Sequence, residues 1–423
     1  MIGSQKGVVL AGAFGNALEW YDFTIYAFFV PIIASLFFPA KTPFLSILAT
    51  FGVFAVGFLV RPLGAILFGY IGDHIGRKKA LILSMIMMSF PTFLIGLLPT
   101  YQSIGILAPL LLIMLRIIQG LAVSGELTTA TVFLIEHADV NRRGIAGSLA
   151  MSGALVGIVL SSVIASIVTE VVSSEYLSNW GWRIPFLLGG LIGVIGFVVR
   201  LRSVDPLLYE QSQENQPEKK SRPSVMSHVT GLNHQIVFVG ICLTSIMAIA
   251  NYFLIGYFNT YLVETQRLPL RSVTMINSIA IGIQMVLTVC MGRLSDHLGR
   301  KRVLGTGIIS LAILAYPVFW LLLQHDIYQA LLGEILFAIA AAAISGLIPT
   351  TLAEMFDTSH RNTGISMSYN VALALFGGTA PLVAITLVAS THHSFAPAWY
   401  LIVCAIIAFS ALMTVDESYQ KVL

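Results

Sequence analysis

From about residue 8 to residue 415 the chain is a succession of apolar runs, many of 20 residues or more, separated by short polar turns. A helix rising ~1.5 Å per residue needs about 20 apolar residues to cross a hydrocarbon core of ~30 Å. Lipid offers no partner to unbonded backbone groups, so only helices or closed barrels span it. Continuous runs, rather than alternation of apolar and polar residues, select helices. Twelve spans can be marked, at 8–38, 44–71, 80–98, 104–135, 144–170, 184–201, 235–262, 272–291, 303–324, 328–352, 363–390 and 397–415. Only 10% of the 423 residues are charged and mean hydropathy is +0.87, whereas soluble domains carry about a quarter charged residues. A water-soluble fold is excluded, and the expected class is an all-α membrane protein.

The first run carries Glu19 and Asp22 and has no small-residue cleavage site, so it reads as a retained membrane helix rather than a secretory signal. Cys242, Cys290 and Cys404 are scattered through apolar runs, which suits neither a disulfide framework nor a metal site. A net charge of +3 spread over loops is no nucleic-acid footprint. The chain shows no nucleophile–base set, phosphate loop or metal spacing, so it is not expected to be an enzyme.

Between spans two and three stands GYIGDHIGRKKAL (Gly69–Leu81), which returns 223 positions later as GRLSDHLGRKRVL (Gly292–Leu304). Gly, Asp, His, Gly, Arg and Lys keep the same offsets in both. A second marker agrees: Glu136 precedes Arg143 by seven residues after span four, and Glu354 precedes Arg361 by seven after span ten, at an offset of 218. The chain is therefore read as a duplication, with halves at 1–201 and 234–423 joined by a polar linker at 202–233 that contains QSQENQPEKKSRPS. With the N-terminus placed inside, seventeen lysines and arginines fall on inside segments and only Lys41, Arg183, Arg267 and Arg271 on outside loops. That distribution obeys the positive-inside rule and puts both termini in the cytoplasm. On that face Asp73, Arg77, Glu136, Arg143, Asp296, Arg300, Glu354 and Arg361 form two matching sets. They are candidates for a gate of wet ion pairs, each worth ~1 kcal/mol or less.

Charges inside the spans carry the functional expectation, because an ionised residue at a helix centre costs ~2.5–3.5 kcal/mol on insertion scales. The first half holds five: Glu19 and Asp22 in span one, Arg61 in span two, Arg116 and Glu126 in span four. Counted from the inner ends at ~1.5 Å per residue, Glu19, Arg61 and Glu126 lie ~15 Å deep, Asp22 ~20 Å and Arg116 ~30 Å, compatible with one cluster. Three carboxylates against two guanidiniums leave one acid without a counter-ion, and such an acid in a low-dielectric site takes up a proton. Asp22 is the first candidate and Glu126 the second, with Glu19, Arg116 and Arg61 completing the set. Arg116 and Gln119 share a helical face. No histidine falls within a span, so carboxylates rather than imidazoles are expected to carry protons. The second half has one deep charge, Glu334. It offers polar aromatics and amides instead, among them Asn251, Tyr252, Tyr257, Asn259 and Tyr261 in span seven, Gln284 in span eight, and Tyr369 and Asn370 in span eleven. Asn251, Tyr252, Tyr257, Gln284 and Asn370, with Tyr26, Arg116 and Gln119 from the first half, are the candidates for holding a small polar ligand by hydrogen bonds and cation–π contact. Gly256 is expected to let span seven bend.

The pattern G-x-x-x-D-x-x-G-R-K between membrane helices resembles the loop between helices 2 and 3 of the major facilitator superfamily. GNALEWYDFTIYAFF (Gly15–Phe29), RPLGAILFGYIGDHIGRKKAL (Arg61–Leu81), RIIQGLAVSGE (Arg116–Glu126), NWGWRIPFLLGG (Asn179–Gly190) and SYNVALALFGGTAP (Ser368–Pro381) resemble its metabolite:proton symporter family. That family includes proline/betaine, shikimate, α-ketoglutarate and citrate transporters. The resemblance implies two six-helix parallel repeats with a substrate site near the midplane at their interface. It further implies secondary transport by alternating access in a bacterial inner membrane, by a monomer, with a proton gradient and no cofactor. The partners implied are protons, the lipid bilayer and a small zwitterion or carboxylate, whose carboxylate would meet Arg116 or Arg61. Asp22 with Arg116 is similar to the proton-linked Asp/Arg pair of sugar symporters. Two departures are visible. Ser124-Gly125-Glu126-Leu127 replaces the family's Gly-Gly-Glu-Tyr, so contact by that tyrosine is not expected. Eight residues follow Val415, so osmotic activation through a coiled-coil tail is not expected either. Two other functions are compatible with the same residues: proton-coupled export of a metabolite or drug, and a transporter-like sensor that binds ligand without flux.

Overall fold

A computed structural model of the chain describes residues 16–74, 77–122, 126–136, 138–202, 233–357 and 360–417. Helices occupy all twelve expected spans. α1 is Asn16–Phe28 continued at an angle by Val30–Phe37. α2 is Pro43–Leu59 with Arg61–His74, α3 is Arg77–Leu97, and α4 is Leu107–Ala122 with Glu126–Glu136. α5 is Arg143–Val171, α6 is Ile184–Arg202 and α7 runs His234–Glu264. α8 is Leu270–Leu298, α9 Arg300–Leu322, α10 Ile327–Met355, α11 Arg361–Thr391 and α12 Ala396–Met413. Among the described residues nine helices are long and apolar enough to cross a membrane singly, and α1 is a tenth if its two arms count as one span. The two remaining spans are met by shorter apolar helices, Ile82–Leu97 and Leu107–Ala122. The expected linker falls, apart from its two end residues, outside the described residues.

The duplication in sequence recurs as a duplication in packing. α3 packs on α4 and α6, and α2 on α4; six helices later α9 packs on α10 and α12, and α8 on α10. The halves meet where α5 runs along α8 and α10, and where α2 meets α11. α5 and α8 approach closely because glycine faces glycine: a Cβ on Gly144 would lie 2.4 Å from the carbonyl oxygen of Gly292. Further along the same pair, Ser166 bonds Ser278 at 2.9 Å and Thr169 bonds Thr274 at 3.0 Å. Glu170 of α5 and Arg271 of α8 form an exposed ion pair at the far end.

Besides the turn at Val60 of α2, helices α1, α7 and α11 depart from the expected regularity. Span one was expected to be continuous, but it bends by 65° between Phe28 and Val30. Pro31 has no N–H to give and its ring clashes with the preceding turn. Ile32 N then bonds Phe29 O rather than Phe28 O, which leaves the Phe28 carbonyl to accept from Asn259 Nδ2 of α7 at 3.2 Å. In α7 the expected bend at Gly256 is instead a π turn, Phe253–Tyr257, and α11 has another at Leu373–Gly377. Such turns insert one extra residue and free backbone carbonyls, and they cluster at functional sites.

Candidate functional site

Two guanidiniums lie at the centre, between the halves. Arg61 stands on α2 just after the irregular turn at Val60, beside Pro62, and Arg116 stands on α4. They are 1% and 0% exposed. Neither has a carboxylate oxygen within salt-bridge distance among the described residues. Both are held on aromatic faces instead. Arg61 Cζ lies 4.3 Å from the ring centre of Phe58, 4.6 Å from Phe23 and 5.6 Å from Trp20. Arg116 Cζ lies 4.5 Å from Phe23, 4.5 Å from Tyr26 and 5.3 Å from Phe54. Arg116 Nη1 donates to Gln119 Oε1 at 3.0 Å, and Gln119 Nε2 donates to Thr92 Oγ1 of α3 at 2.7 Å. Nε and Nη2 of both arginines are buried without an acceptor. Cation–π contact supplies ~2 kcal/mol when desolvated, while burying an ion costs several kcal/mol.

From sequence, three acids face two arginines and Asp22 is the first candidate for the one left without a counter-ion; the structure places Asp22 away from both guanidiniums. Glu19 lies within electrostatic range of Arg61; the side chain of Glu126 lies outside the described residues. The expected Asp22–Arg116 pair does not form. Asp22 points to the other side of α1, where Oδ2 accepts from Ser89 Oγ of α3 at 3.0 Å and Oδ1 has no partner. Gly189 of α6 makes room for it, since a Cβ there would sit 2.7 Å from Asp22 Oδ1. A small recess lined by Leu18, Glu19, Ser84, Met85, Met88 and Ala122 opens beside Asp22 and Ser89. Ser89 and Thr92 are three residues apart on one face of α3. A chain of side chains thus runs Asp22–Ser89, Thr92–Gln119–Arg116 across that helix.

The second half contributes less uniformly than expected. Tyr252 packs its ring 4.8 Å from Phe58 and 5.9 Å from Phe54 of the first half, and its hydroxyl has no partner. Tyr26 donates to Thr50 O at 3.0 Å and completes the aromatic wall. Asn251 and Gln284 satisfy one another at 2.7 Å, and both bond Ser345 of α10 at 3.2 Å, so they tie α7, α8 and α10 together. Asn370 donates to Ser366 O one turn back at 2.9 Å. Tyr257 lies away from the arginines, among Phe253, Phe258, Tyr261 and Phe319. Residues not singled out from sequence complete the centre: Trp20, Phe23, Phe54 and Phe58, with Ser89 and Thr92. Their signal was present as aromatics at positions 51, 54 and 58 of one span, but that spacing is also ordinary core packing.

At the end carrying the charged turns, the halves are closed on each other. Asp296 of α8 accepts from the backbone N–H of Gly144 at 2.8 Å and of Ile145 at 3.0 Å, at the N-terminus of α5, and from Arg300 Nη1 at 2.7 Å. Arg300 also meets Glu354 at 3.3 Å, and Arg361 meets Glu136 across the halves at 2.7 Å. Arg143 stands in the electrostatic field of Glu354. The side chains of Asp73 and Arg77 lie outside the described residues. Among the described residues of the set, a partly wet pair is formed by Glu136, whose side chain is 35% exposed. Arg300, Asp296 and Glu354 are buried to 4% or less, because the end of α5 covers them.

A twelve-helix membrane protein with two repeated halves and a buried cationic centre between them has the architecture of a secondary transporter. The profile of the Major Facilitator Superfamily matches residues 12–381 and again 241–420. The glycine betaine/proline/ectoine/pipecolic acid transporter of Dickeya dadantii is 33% identical over 426 residues, covering 99% of this chain and 85% of that one. The proline/betaine transporter of Salmonella typhimurium is 32% identical, with coverage of 99% and 85%. Among solved structures, the D-xylose–proton symporter superposes with a TM-score of 0.76 over 99% of both chains at 18% identity, a likeness of fold. The chain belongs to the major facilitator superfamily, within its metabolite:proton symporter family.

Proposed function

We propose that the protein is a proton-coupled importer of a small zwitterion of the proline/betaine kind. It works by alternating access in a bacterial inner membrane, as a monomer, with both termini and the charged end in the cytoplasm. The observation that carries this reading is the pair of buried guanidiniums whose Nε and Nη2 groups have no acceptor. A substrate carboxylate supplies the missing acceptors, and charge-assisted bonds of this kind are about twice as strong as neutral ones. The rings of Tyr252, Phe54 and Phe58 beside the arginines suit the substrate's ammonium group, as aromatic cages do for quaternary ammonium. The names of the relatives agree with both ends of such a molecule. Asp22 holds the transported proton, no cofactor is required, and the Ser89–Thr92–Gln119 chain couples its charge to Arg116. Export, the alternative open from sequence, has no observation of its own in the site.

The deciding experiment is thermal stabilisation of the purified protein against amino acids, betaines, mono- and dicarboxylates, since a ligand bound only by the folded state raises Tm. Compounds bearing one carboxylate and one ammonium are expected to stabilise most. Stabilisation only by compounds that lack a carboxylate would sink the assignment. Asp22→Asn is expected to bind the same ligands and exchange them across a vesicle membrane, but not to accumulate them under an imposed proton gradient. Accumulation at the unmodified level would remove Asp22 from the coupling step.

A further inference from the structure

The second half holds a buried acid that the cycle above does not use. Glu334 on α10 is 0% exposed. Its Oε2 accepts from Asn277 Nδ2 of α8 at 2.9 Å, and the same nitrogen donates to the Leu254 carbonyl at 2.6 Å. Leu254 belongs to the π turn of α7, so one amide joins the acid to the irregular backbone next to Tyr252. Both hydrogens of that amide are thereby committed. Two buried acceptors remain without a donor, Glu334 Oε1 and Asn277 Oδ1.

Among the described residues, no charged side chain on the elements packed around α10 pairs with Glu334. On α8, Arg271 is engaged by Glu170 of α5 at the exposed end. α7 presents the neutral phenols Tyr257 and Tyr261, and α9 presents Tyr316, which stacks on Phe395. Arg143, Arg300, Arg361 and the acids Glu136 and Asp296 lie at the charged end. They are level with Glu354, about 30 Å from Glu334 along α10. Among the described residues Asn277 alone hydrogen-bonds Glu334. The group thus has surplus acceptors and no surplus donor. One proton on the carboxyl removes the charge and converts an orphan acceptor into a donor.

We propose that Glu334 is a second proton-binding site, in the C-terminal half, sensed by α7 through Asn277. Loss of the proton strengthens the bond from Asn277 Nδ2 to Glu334 Oε2, which draws the amide toward the acid and lengthens its other bond, to the Leu254 carbonyl. The π turn is then free to close, which shifts Tyr252 against the arginine centre. The role in transport rests on the importer reading; the bound proton does not.

Infrared difference spectra of the purified protein between acid and alkaline pH test the proton directly. A protonated-carboxyl C=O band is expected that titrates, persists in Asp22→Asn and is absent from Glu334→Gln. A spectrum unchanged by Glu334→Gln overturns the proposal. Where that variant does not accumulate, Glu334→Asp should move the band, and an unmoved band overturns it equally. Sodium ions that stabilise the wild type but not Glu334→Gln at constant pH would assign the site to a metal cation instead and overturn the proton. In proteoliposomes Glu334→Gln is expected to carry one proton fewer per substrate, and an unchanged ratio overturns the transport role. A wild type that shows no proton coupling at all fails the importer reading while leaving the infrared result to stand.

Discussion

Replacing Arg116 by lysine is expected to reduce zwitterion uptake by roughly two orders of magnitude, nearly as far as replacement by alanine. Removing one partner from a buried pair costs about 3–5 kcal/mol, and every 1.4 kcal/mol is about tenfold. Lysine retains the charge, so a purely electrostatic role for Arg116 would spare it. The geometry requires more than charge. Arg116 lies within 4.5 to 5.3 Å of the ring centres of Phe23, Tyr26 and Phe54, is anchored through Nη1 by Gln119, and keeps Nε and Nη2 buried without an acceptor among the described residues. An ammonium is compact and strongly hydrated, and it cannot present a planar fork or stack in this way. Initial uptake rates in inverted and right-side-out vesicles, normalised to the amount of protein in the membrane, measure the effect. Wild-type rates in Arg116→Lys would remove the guanidinium from substrate recognition.

Asp296→Asn is expected to open the charged end. The carboxylate joins α8 to two backbone N–H groups at the start of α5 and to Arg300, and of these bonds the one to Ile145 is part-buried and the others are buried. Its charge complements the positive end of the α5 dipole as well as the guanidinium. Loss of about 3 kcal/mol from the closed state alone moves a two-state balance by about a hundredfold. Ser148→Cys reports on it, because Ser148 is 0% exposed and faces Gly292 across the α5–α8 seam. The introduced thiol should resist a maleimide added from the side of the charged end in an otherwise wild-type background and react in the presence of Asp296→Asn. Equal resistance in both would show that the seam is held by packing rather than by Asp296. Glu136→Gln should change reactivity far less, since its pair with Arg361 is partly wet and worth ~1 kcal/mol or less.

The architecture was legible because lipid imposes it. Apolar runs of fixed length and a lopsided distribution of lysine and arginine between alternate loops follow from that one constraint, and two copies of one charged turn mark the repeat. The buried arginines were legible for the same reason, as residues too costly to place in a membrane without purpose. What they touch was not. Counting three acids against two arginines assumed that opposite charges within reach must pair. The fold instead gives the arginines aromatic faces and sends Asp22 to the opposite side of α1. Phe23, Phe54 and Phe58 gave no warning, for an aromatic ring in a membrane span is as well explained by packing. The π turns of α7 and α11 have no residue signature at all; they arise from how neighbouring helices claim the freed carbonyls, as Asn277 does at Leu254. Burial of Arg300 was hidden for a similar reason, since it depends on where α5 ends in space.

The bond between Asn259 and the Phe28 carbonyl has a consequence for heredity. One partner is a side chain that a single base change can erase; the other is main chain, present whatever residue occupies position 28. Of the two residues in this clasp between the halves, a saturation scan would therefore register only position 259. A search for paired substitutions would return nothing, because the acceptor has no alternative form to vary with. Contacts made this way can be lost through one partner alone, and they can be regained by any lineage that restores a donor at position 259.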